Sequence, residues 1–133
     1  MIPVGSVPVL ERMTGIRIVA TPTSLDTLSS ESSVHLRIAP DEMLIIPACP
    51  GVTDNLKDPH AIVIQETSFF GAWFSQSEIQ RLFASYCEWA LPLNPGTHQG
   101  AMANIPIKLF QSSEESLLLV QSPYLADFLE RVE

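Results

Sequence analysis

The chain has 133 residues, of which 46% are hydrophobic, and its 15 acidic and 7 basic side chains give a formal net charge of −8. This length and composition predict a single domain over 1–133 that buries a core of its own, and they exclude a wholly disordered chain. Binding to nucleic acid or to an anionic membrane needs clustered cationic side chains, which the sequence lacks, so neither partner is expected.

Residues 1–14 contain two early prolines and are predicted to form an irregular lead-in. In the following "IRIVA", residues 16–20, every second side chain shares one face, which predicts a short strand. The segment 23–33 is rich in Ser and Thr and predicts a loop. The amino-terminal stretch lacks the charged region of a signal peptide, and no apolar run approaches the ~18 residues of a spanning helix, so we expect a cytoplasmic protein.

The stretch "VHLRIAPDEMLIIP", residues 34–47, predicts a β-hairpin. Apolar side chains occupy every second position of 34–38, as in a half-buried strand, and "MLIIP" is typical of a more buried one. Pro40 supplies the fixed φ of a turn corner, so Asp41 and Glu42 are interpreted as solvated turn residues. A carboxylate pair for acid–base chemistry is disfavoured, because adjacent side chains point in different directions.

The next strongly patterned region is aromatic. A loop is predicted over 48–60 and a strand over 61–66, after which "TSFFGAWF", residues 67–74, is interpreted as a buried crossover into a helix. Its aromatic rings have three open interpretations: core, a docking surface for another protein, or a pocket for a planar ligand. The docking surface is carried forward as the candidate functional site, and its members are Phe69, Phe70, Trp73 and Phe74.

The main helix is predicted over 75–91. Ser75 and Glu78 have the spacing of a capping box, and Pro92 ends the helix. Arg81 falls on the solvent side. The apolar side chains recur at helical spacing and form one stripe that faces the core: Ile79, Leu82, Phe83, Tyr86 and Ala90.

The carboxy-terminal third predicts a turn-rich connection over 91–100, strands around 105–109 and 117–121, and a last helix over 124–132 capped by Ser122. The side chains predicted to face inward from that helix are Leu125, Phe128, Leu129 and Val132. Strands and helices mix without regular βαβ alternation. The sequence therefore predicts an α+β fold, an antiparallel-leaning sheet with two main helices.

Candidate catalytic or metal-binding groups are few. His35, His60 and His98 are far apart in sequence and have no cysteine at zinc spacing, so no metal site is predicted, although whether His60 and His98 meet in space is left open. Cys49 and Cys87 are expected to be reduced and mostly buried, since free cysteine is among the most buried residue types. No nucleophile has an activating base beside it in the sequence. The sequence favours a noncatalytic protein without deciding the question.

Three segments in order carry a family resemblance: "LRIAPDEMLII", then "AIVIQETSFFGAWFSQSEIQRLFASYCEWAL", then "QGAMANIPIKLF" with "ESLLLVQSPYLADFLERV". Over about residues 30–133 the chain resembles the aminomethyltransferase-like folate-binding superfamily, and within it the gamma subunit of heterotetrameric sarcosine oxidase. The resemblance implies a small noncatalytic subunit that packs against a larger subunit carrying flavin and folate chemistry. The catalytic aspartate of the folate-dependent aminomethyltransferases has no counterpart here, so no ligand residue is carried over.

Three hypotheses follow. The first is a noncatalytic subunit or interaction module, associated with a larger flavoenzyme subunit in amine-oxidising or one-carbon metabolism. The second is a small folate-binding, aminomethyltransferase-like protein, for which the resemblance makes tetrahydrofolate a candidate ligand. The third is a free-standing homo-oligomeric domain of unrelated function.

Overall fold

A computed structural model of the chain describes residues 9–29, 32–49, 51–54 and 56–132, which contain seven β-strands, three α-helices and one 3-10 turn. The strands are β1 (Glu11–Val19), β2 (Val34–Ala39), β3 (Glu42–Ile46), β4 (Ile62–Ser75), β5 (Gly96–Met102), β6 (Ile105–Gln111) and β7 (Glu115–Gln121). The helices are α1 (Pro22–Asp26), α2 (Gln76–Tyr86) and α3 (Leu125–Arg131), and the 3-10 turn spans Ser122–Tyr124. The fold is broadly α+β, as predicted, but the sheet dominates. Of the described helices only α2, with 11 residues, exceeds two turns.

The chain divides into two compact units. The first unit consists of residues 13–67, and the second unit consists of residues 1–12 together with 68–133. Each unit has its own cluster of buried apolar side chains. The expectation of a single domain over 1–133 stays a prediction.

In the first unit β3 pairs antiparallel with both β2 and β1, so that Leu44 stands opposite Leu36 on one side and Arg17 on the other. The β2–β3 pairing confirms the predicted hairpin. Gly15 lies within β1 at a close approach, since a Cβ atom there would come within 2.5 Å of the carbonyl oxygen of Ile45. The buried cluster of this unit consists of Ile18, Ala20, Leu25, Leu28, Met43 and Ile45.

Two sequence predictions need correction at this sheet. The lead-in predicted over 1–14 ends earlier, because β1 begins at Glu11; residues 1–8 lie outside the described residues. Glu42 is not only a solvated turn residue: it opens β3, and its Oε2 atom accepts a hydrogen bond from Nε of Arg17 at 2.5 Å. The register explains this ion pair, because Glu42 stands opposite Val19, and Arg17 shares a face of β1 with that residue.

The Ser/Thr-rich segment predicted as a loop over 23–33 contains most of α1. Thr21 caps this helix by accepting a hydrogen bond from the amide of Ser24. Leu25, a residue of the helix, is fully buried. The guanidinium of Arg37 donates to the carboxylate of Asp26 and to the carbonyl oxygen of Pro22. A five-residue helix is too short to be stable alone, so these distant contacts decide its formation.

In the second unit the strand order is β4-β7-β6-β5, and each neighbouring pair is antiparallel. The crossover predicted over 67–74 is wrong, because Phe69–Ser75 pair in regular register with β7. Leu117–Val120 are buried on both faces of β7, as their continuous apolar run indicates. The buried cluster also includes residues of α2 and α3, and its largest fully buried side chains are those of Phe74, Phe128, Met102, Ile79, Leu109 and Leu118.

The amino-terminal end of α2 has the predicted capping box: Ser75 Oγ accepts from the amide of Glu78, and the Glu78 carboxylate accepts from the amide of Ser75. The helix ends at Tyr86 rather than near Pro92, so Ala90, which was predicted to belong to the apolar stripe, lies beyond the helix and is exposed. Beyond the helix, Trp89 packs its ring edge-on to Phe83, with centroids 4.9 Å apart. Leaving the helix early is what allows this tryptophan to reach the sheet.

Strand β5 occupies the second half of the connection predicted over 91–100, and it includes Gly100, which the sequence places in a turn. The indole of Trp89 lies across this strand and donates from Nε1 to the carbonyl oxygen of Ala101 at 2.8 Å. A Cβ atom at Gly100 would lie 2.5 Å from the Cζ2 atom of that ring. Position 100 therefore needs glycine because the indole of Trp89 leaves no room for a side chain, not because the backbone turns there. Neither the strand nor the contact with Trp89 is visible in the local sequence pattern.

The last helix is shorter than predicted, since the 3-10 turn precedes α3 and no side-chain cap from Ser122 forms. Phe128 and Val132 are buried as predicted, and Leu125 is half-buried. Leu129 is 38% exposed, which corrects its predicted inward orientation. Residues 125, 128 and 132 follow one helical face, and position 129 lies at the margin of that face.

Candidate protein-interaction surface

The aromatic segment of β4 distributes its rings over two faces of the strand. Phe70 and Phe74 contact the cluster that also holds α2 and α3, while Phe69 and Trp73 project from the opposite face. The four rings lie within one six-residue segment of the sequence. Strand alternation separates them into two pairs.

Burial separates the four rings further. Phe69 and Phe74 are 3% and 1% exposed, so they are core side chains in this chain. Phe70 is half-buried, with Cζ of Arg12 at 4.6 Å from its ring centroid. Trp73 is 40% exposed and is the one member of the candidate site that offers a large apolar surface to solvent. The docking surface stays a prediction, and Trp73 is the residue that can contribute most to it.

A second apolar feature lies on the amino-terminal part of β4. Ile62, Val63 and Ile64 are 56%, 45% and 48% exposed. Successive side chains of a strand point to opposite faces, so apolar surface is exposed on both faces here. Single exposed apolar residues are ordinary, but three consecutive large ones are typical of a surface that binds a partner.

The sequence predicts a strand over 61–66 but does not indicate whether either of its faces is exposed. A run of three β-branched residues predicts a strand equally well whether it is buried or exposed. The exposed apolar surface formed by Ile62, Val63 and Ile64 is called the β4 apolar triplet below.

The ionisable groups give no catalytic arrangement among the residues described. No group of three or more His, Cys, Asp or Glu side chains in the described ranges is placed to hold a metal ion. His98 contacts the carbonyl oxygen of Asn94 at 2.9 Å through Nε2, and the backbone amide of His60 donates to Asp58. Burial raises the pKa of the Cys87 thiol to about 11, so this thiol is protonated at neutral pH and weakly nucleophilic.

The two cysteines are half-buried rather than mostly buried. Sγ of Cys49 lies 3.4 Å from Oγ of Ser32, and Cys87 forms the extended carboxy-terminal cap of α2. Neither cysteine forms a disulfide bond. Cys87 lies at the end of α2, and Cys49 lies in the connection after β3.

A cavity of about 100 Å³ lies in the second unit, and Phe69, Gln99, Lys108, Leu119 and Gln121 are among its lining residues. Sites for drug-sized ligands are typically ~300–1,000 Å³. A pterin joined to a benzoylglutamate is too large for this cavity, so its residues do not fit tetrahydrofolate. Folate binding stays a prediction drawn from the resemblance alone.

The comparisons with known proteins agree with the resemblance at the level of fold. No protein-family model and no curated protein matches the sequence. Among solved structures, the chain is similar to a chain of the heterotetrameric sarcosine oxidase from Corynebacterium sp. U-96, determined in complex with pyrrole 2-carboxylate. The TM-score is 0.67 at 13% sequence identity, over 92% of this chain and 78% of that chain. The similarity shows a shared fold and does not specify a subunit.

None of the helices in the described residues combines the length and the apolar character that crossing a membrane requires.

Proposed function

We propose that the chain is a noncatalytic subunit or interaction module, similar in role to the gamma subunit of heterotetrameric sarcosine oxidase. In this proposal it packs against a larger flavoenzyme subunit of amine-oxidising or one-carbon metabolism in the cytoplasm. The observation that carries the proposal is the β4 apolar triplet, whose three side chains are each at least 45% exposed. The fold similarity to a chain of a heterotetrameric enzyme supports it.

The β4 apolar triplet favours association because it leaves apolar area in water that a partner would cover. Removing apolar surface from water is favourable by roughly 25 cal/mol per Å². Trp73, in the second unit, exposes an indole of its own, the side-chain type most enriched among residues that dominate binding energy. Consecutive exposed apolar residues on a strand would otherwise be an aggregation hazard, which a constant partner removes.

The charge of the chain favours a partner different from itself. Two copies each carrying −8 repel one another, whereas a partner with a basic rim is attracted. The expected interface is therefore apolar at the triplet and electrostatically complementary around it.

The test is affinity capture of the full chain from its native host, followed by identification of the captured polypeptide and its absorption spectrum. The proposal expects one larger polypeptide that carries bound flavin and is captured in fixed stoichiometry. Three single variants probe the triplet: Ile62→Thr, Val63→Thr and Ile64→Thr, which keep the β-branched shape and strand propensity. Each is expected to reduce capture by about tenfold or more, as loss of an interface anchor does.

Leu93→Thr is the matched control, because Leu93 is 88% exposed but lies alone in a connection. It should leave capture unchanged. Equal capture by the triplet variants and the control, at unchanged melting temperature, would reject the triplet as the interface. A stable assembly of identical copies without any flavin-bearing polypeptide would favour the free-standing oligomer instead.

A further inference from the structure

The cavity in the second unit combines an apolar floor with polar side chains. Phe69 and Leu119, 3% and 0% exposed, are among its lining residues. Lys108 on β6, Gln99 on β5 and Gln121 on β7 line it as well, so three adjacent strands contribute polar groups. Neither the sequence patterns nor the fold similarity assigned a role to this place.

The ammonium group of Lys108 has a defined position. It donates to Oε1 of Gln99 at 2.6 Å, and it lies 6.0 Å from the ring centroid of Phe69. The register places Gln99 directly opposite Lys108 in the β5–β6 pair, so the backbone itself holds the two side chains together. The lysine side chain thereby lines the cavity with its ammonium group held at one position.

Lysine is rare in this sequence, so the placement of Lys108 beside the cavity is unusual. The sequence contains two lysines, Lys57 and Lys108, in a chain with a net charge of −8. Such a chain disfavours anions over most of its surface, so an anion can bind only where a cation is held close by. An ammonium beside an aromatic ring and a buried leucine suits a ligand with a negative head and a short apolar tail.

We propose that this cavity binds a small monocarboxylate. Its carboxylate would pair with the Lys108 ammonium and accept a hydrogen bond from the side-chain amide of Gln121. Its short alkyl group would lie against Phe69. The volume of about 100 Å³ accommodates a tail of a few carbon atoms. One charge-assisted contact and few ligand atoms give a dissociation constant on the order of 1–10 mM.

The test uses the full chain labelled with ¹³C-lysine, because its two lysines give two resolvable sets of side-chain NMR signals. Propionate is titrated at constant ionic strength, with propionamide as the neutral ligand of the same shape. Propionate should shift the Lys108 signals along a saturating curve and leave Lys57 unchanged. Propionamide should produce no saturating shift, because it lacks the charge that the ammonium recognises.

Two variants complete the experiment, followed through the backbone amide signals of residues 119–121. Lys108→Gln keeps a long polar side chain without the charge and should weaken propionate binding at least tenfold, whereas Lys57→Gln should leave binding unchanged. The proposal is overturned if both lysines shift together without saturation, if propionamide binds as well as propionate, or if Lys108→Gln binds like the unaltered chain.

Discussion

At Ala103 the backbone adopts φ of 52°, in the left-handed region that residues other than glycine and asparagine rarely occupy. Ala103 and Asn104 form the two-residue connection between β5 and β6, and such hairpins need positive φ at both positions. The strained residue is held by its surroundings: its amide donates to Tyr86, and its carbonyl oxygen accepts from Arg131. Contacts with α2 and α3 thus stabilise a backbone conformation that alanine by itself disfavours.

Ala103→Gly should therefore stabilise the protein by about 0.5–1 kcal/mol, because glycine adopts positive φ without a Cβ clash. Chemical denaturation measures the change in the free energy of unfolding. Ala101→Gly is the matched control: Ala101 lies within β5, where glycine should destabilise by roughly 0.5–1 kcal/mol. Destabilisation by both substitutions would show that the hairpin is not strained at Ala103.

His35 makes stability depend on pH. Burial lowers the pKa of His35 below its ordinary 6.5, because removing the imidazole from water penalises its charged form. The unfolded chain therefore binds this proton more readily than the folded one. The stability contributed by neutral His35 is complete above pH 6.5 and is lost as the pH falls through the lower folded pKa.

As the pH is lowered from neutral to values just above those at which carboxylates titrate, the His35→Gln variant should lose less stability than the unaltered chain. Thermal unfolding followed over that pH range measures the effect. His60→Gln makes the same chemical change at an exposed residue and serves as the control. A pH dependence that is identical in the His35→Gln variant and the unaltered chain would contradict the assignment.

At the scale of the element, α2 shows which features of a helix are determined locally. The Ser75–Glu78 capping box forms as its spacing predicts, and Ile79, Leu82 and Phe83 are buried along one stripe. The far end of the helix is different, because Trp89 leaves the helical path to pack on β5. The start of this helix follows from its local sequence, whereas its end follows from packing against a strand that is distant in sequence.

Leu82→Ala should destabilise the protein by about 2–5 kcal/mol, the range for truncating a core leucine, since Leu82 is buried between α2 and the sheet of the second unit. Arg81→Ala, one residue earlier on the exposed side, should change stability by less than about 0.5 kcal/mol. Urea denaturation of both variants gives the comparison. Similar costs at the two positions would mean that the buried face of α2 has been assigned incorrectly.

At the scale of the whole molecule, the net charge of −8 controls how the chain meets other molecules. Electrostatic attraction raises association rates between complementary surfaces, and salt screens that attraction over about 8 Å at physiological ionic strength. If the partner has the basic rim proposed above, the association rate should fall clearly as salt is raised. The dissociation rate should change less, because the apolar triplet is not screened.

Kinetic binding measurements at several salt concentrations, with the captured partner immobilised, test this expectation. Ile64→Thr should mainly accelerate dissociation, and a neutralising substitution at the nearby Glu66 should mainly alter the salt dependence of association. An association rate that does not respond to salt would remove charge complementarity from the proposal while leaving the apolar contact in place.

The sequence by itself determined features whose cause lies within a few residues. The β2–β3 hairpin, the capping box of α2 and the buried run of β7 depend on φ restriction, local hydrogen bonds and continuous apolar character, and all three are present. The broad α+β class follows from the same local signals. The expected docking segment, however, was identified by its aromatic composition alone, which says nothing about which rings are covered.

Only the tertiary structure decided that question. Phe69 and Phe74 are buried while Trp73 and the β4 apolar triplet are exposed, although all belong to one strand of similar composition. Likewise, the need for glycine at position 100 comes from contact with Trp89, eleven positions earlier. Helix α1 is stabilised by Arg37, eleven positions beyond its partner Asp26. The physical reason is that strand periodicity sets which side chains share a face, whereas burial depends on what packs against that face, and the packing elements are distant in sequence.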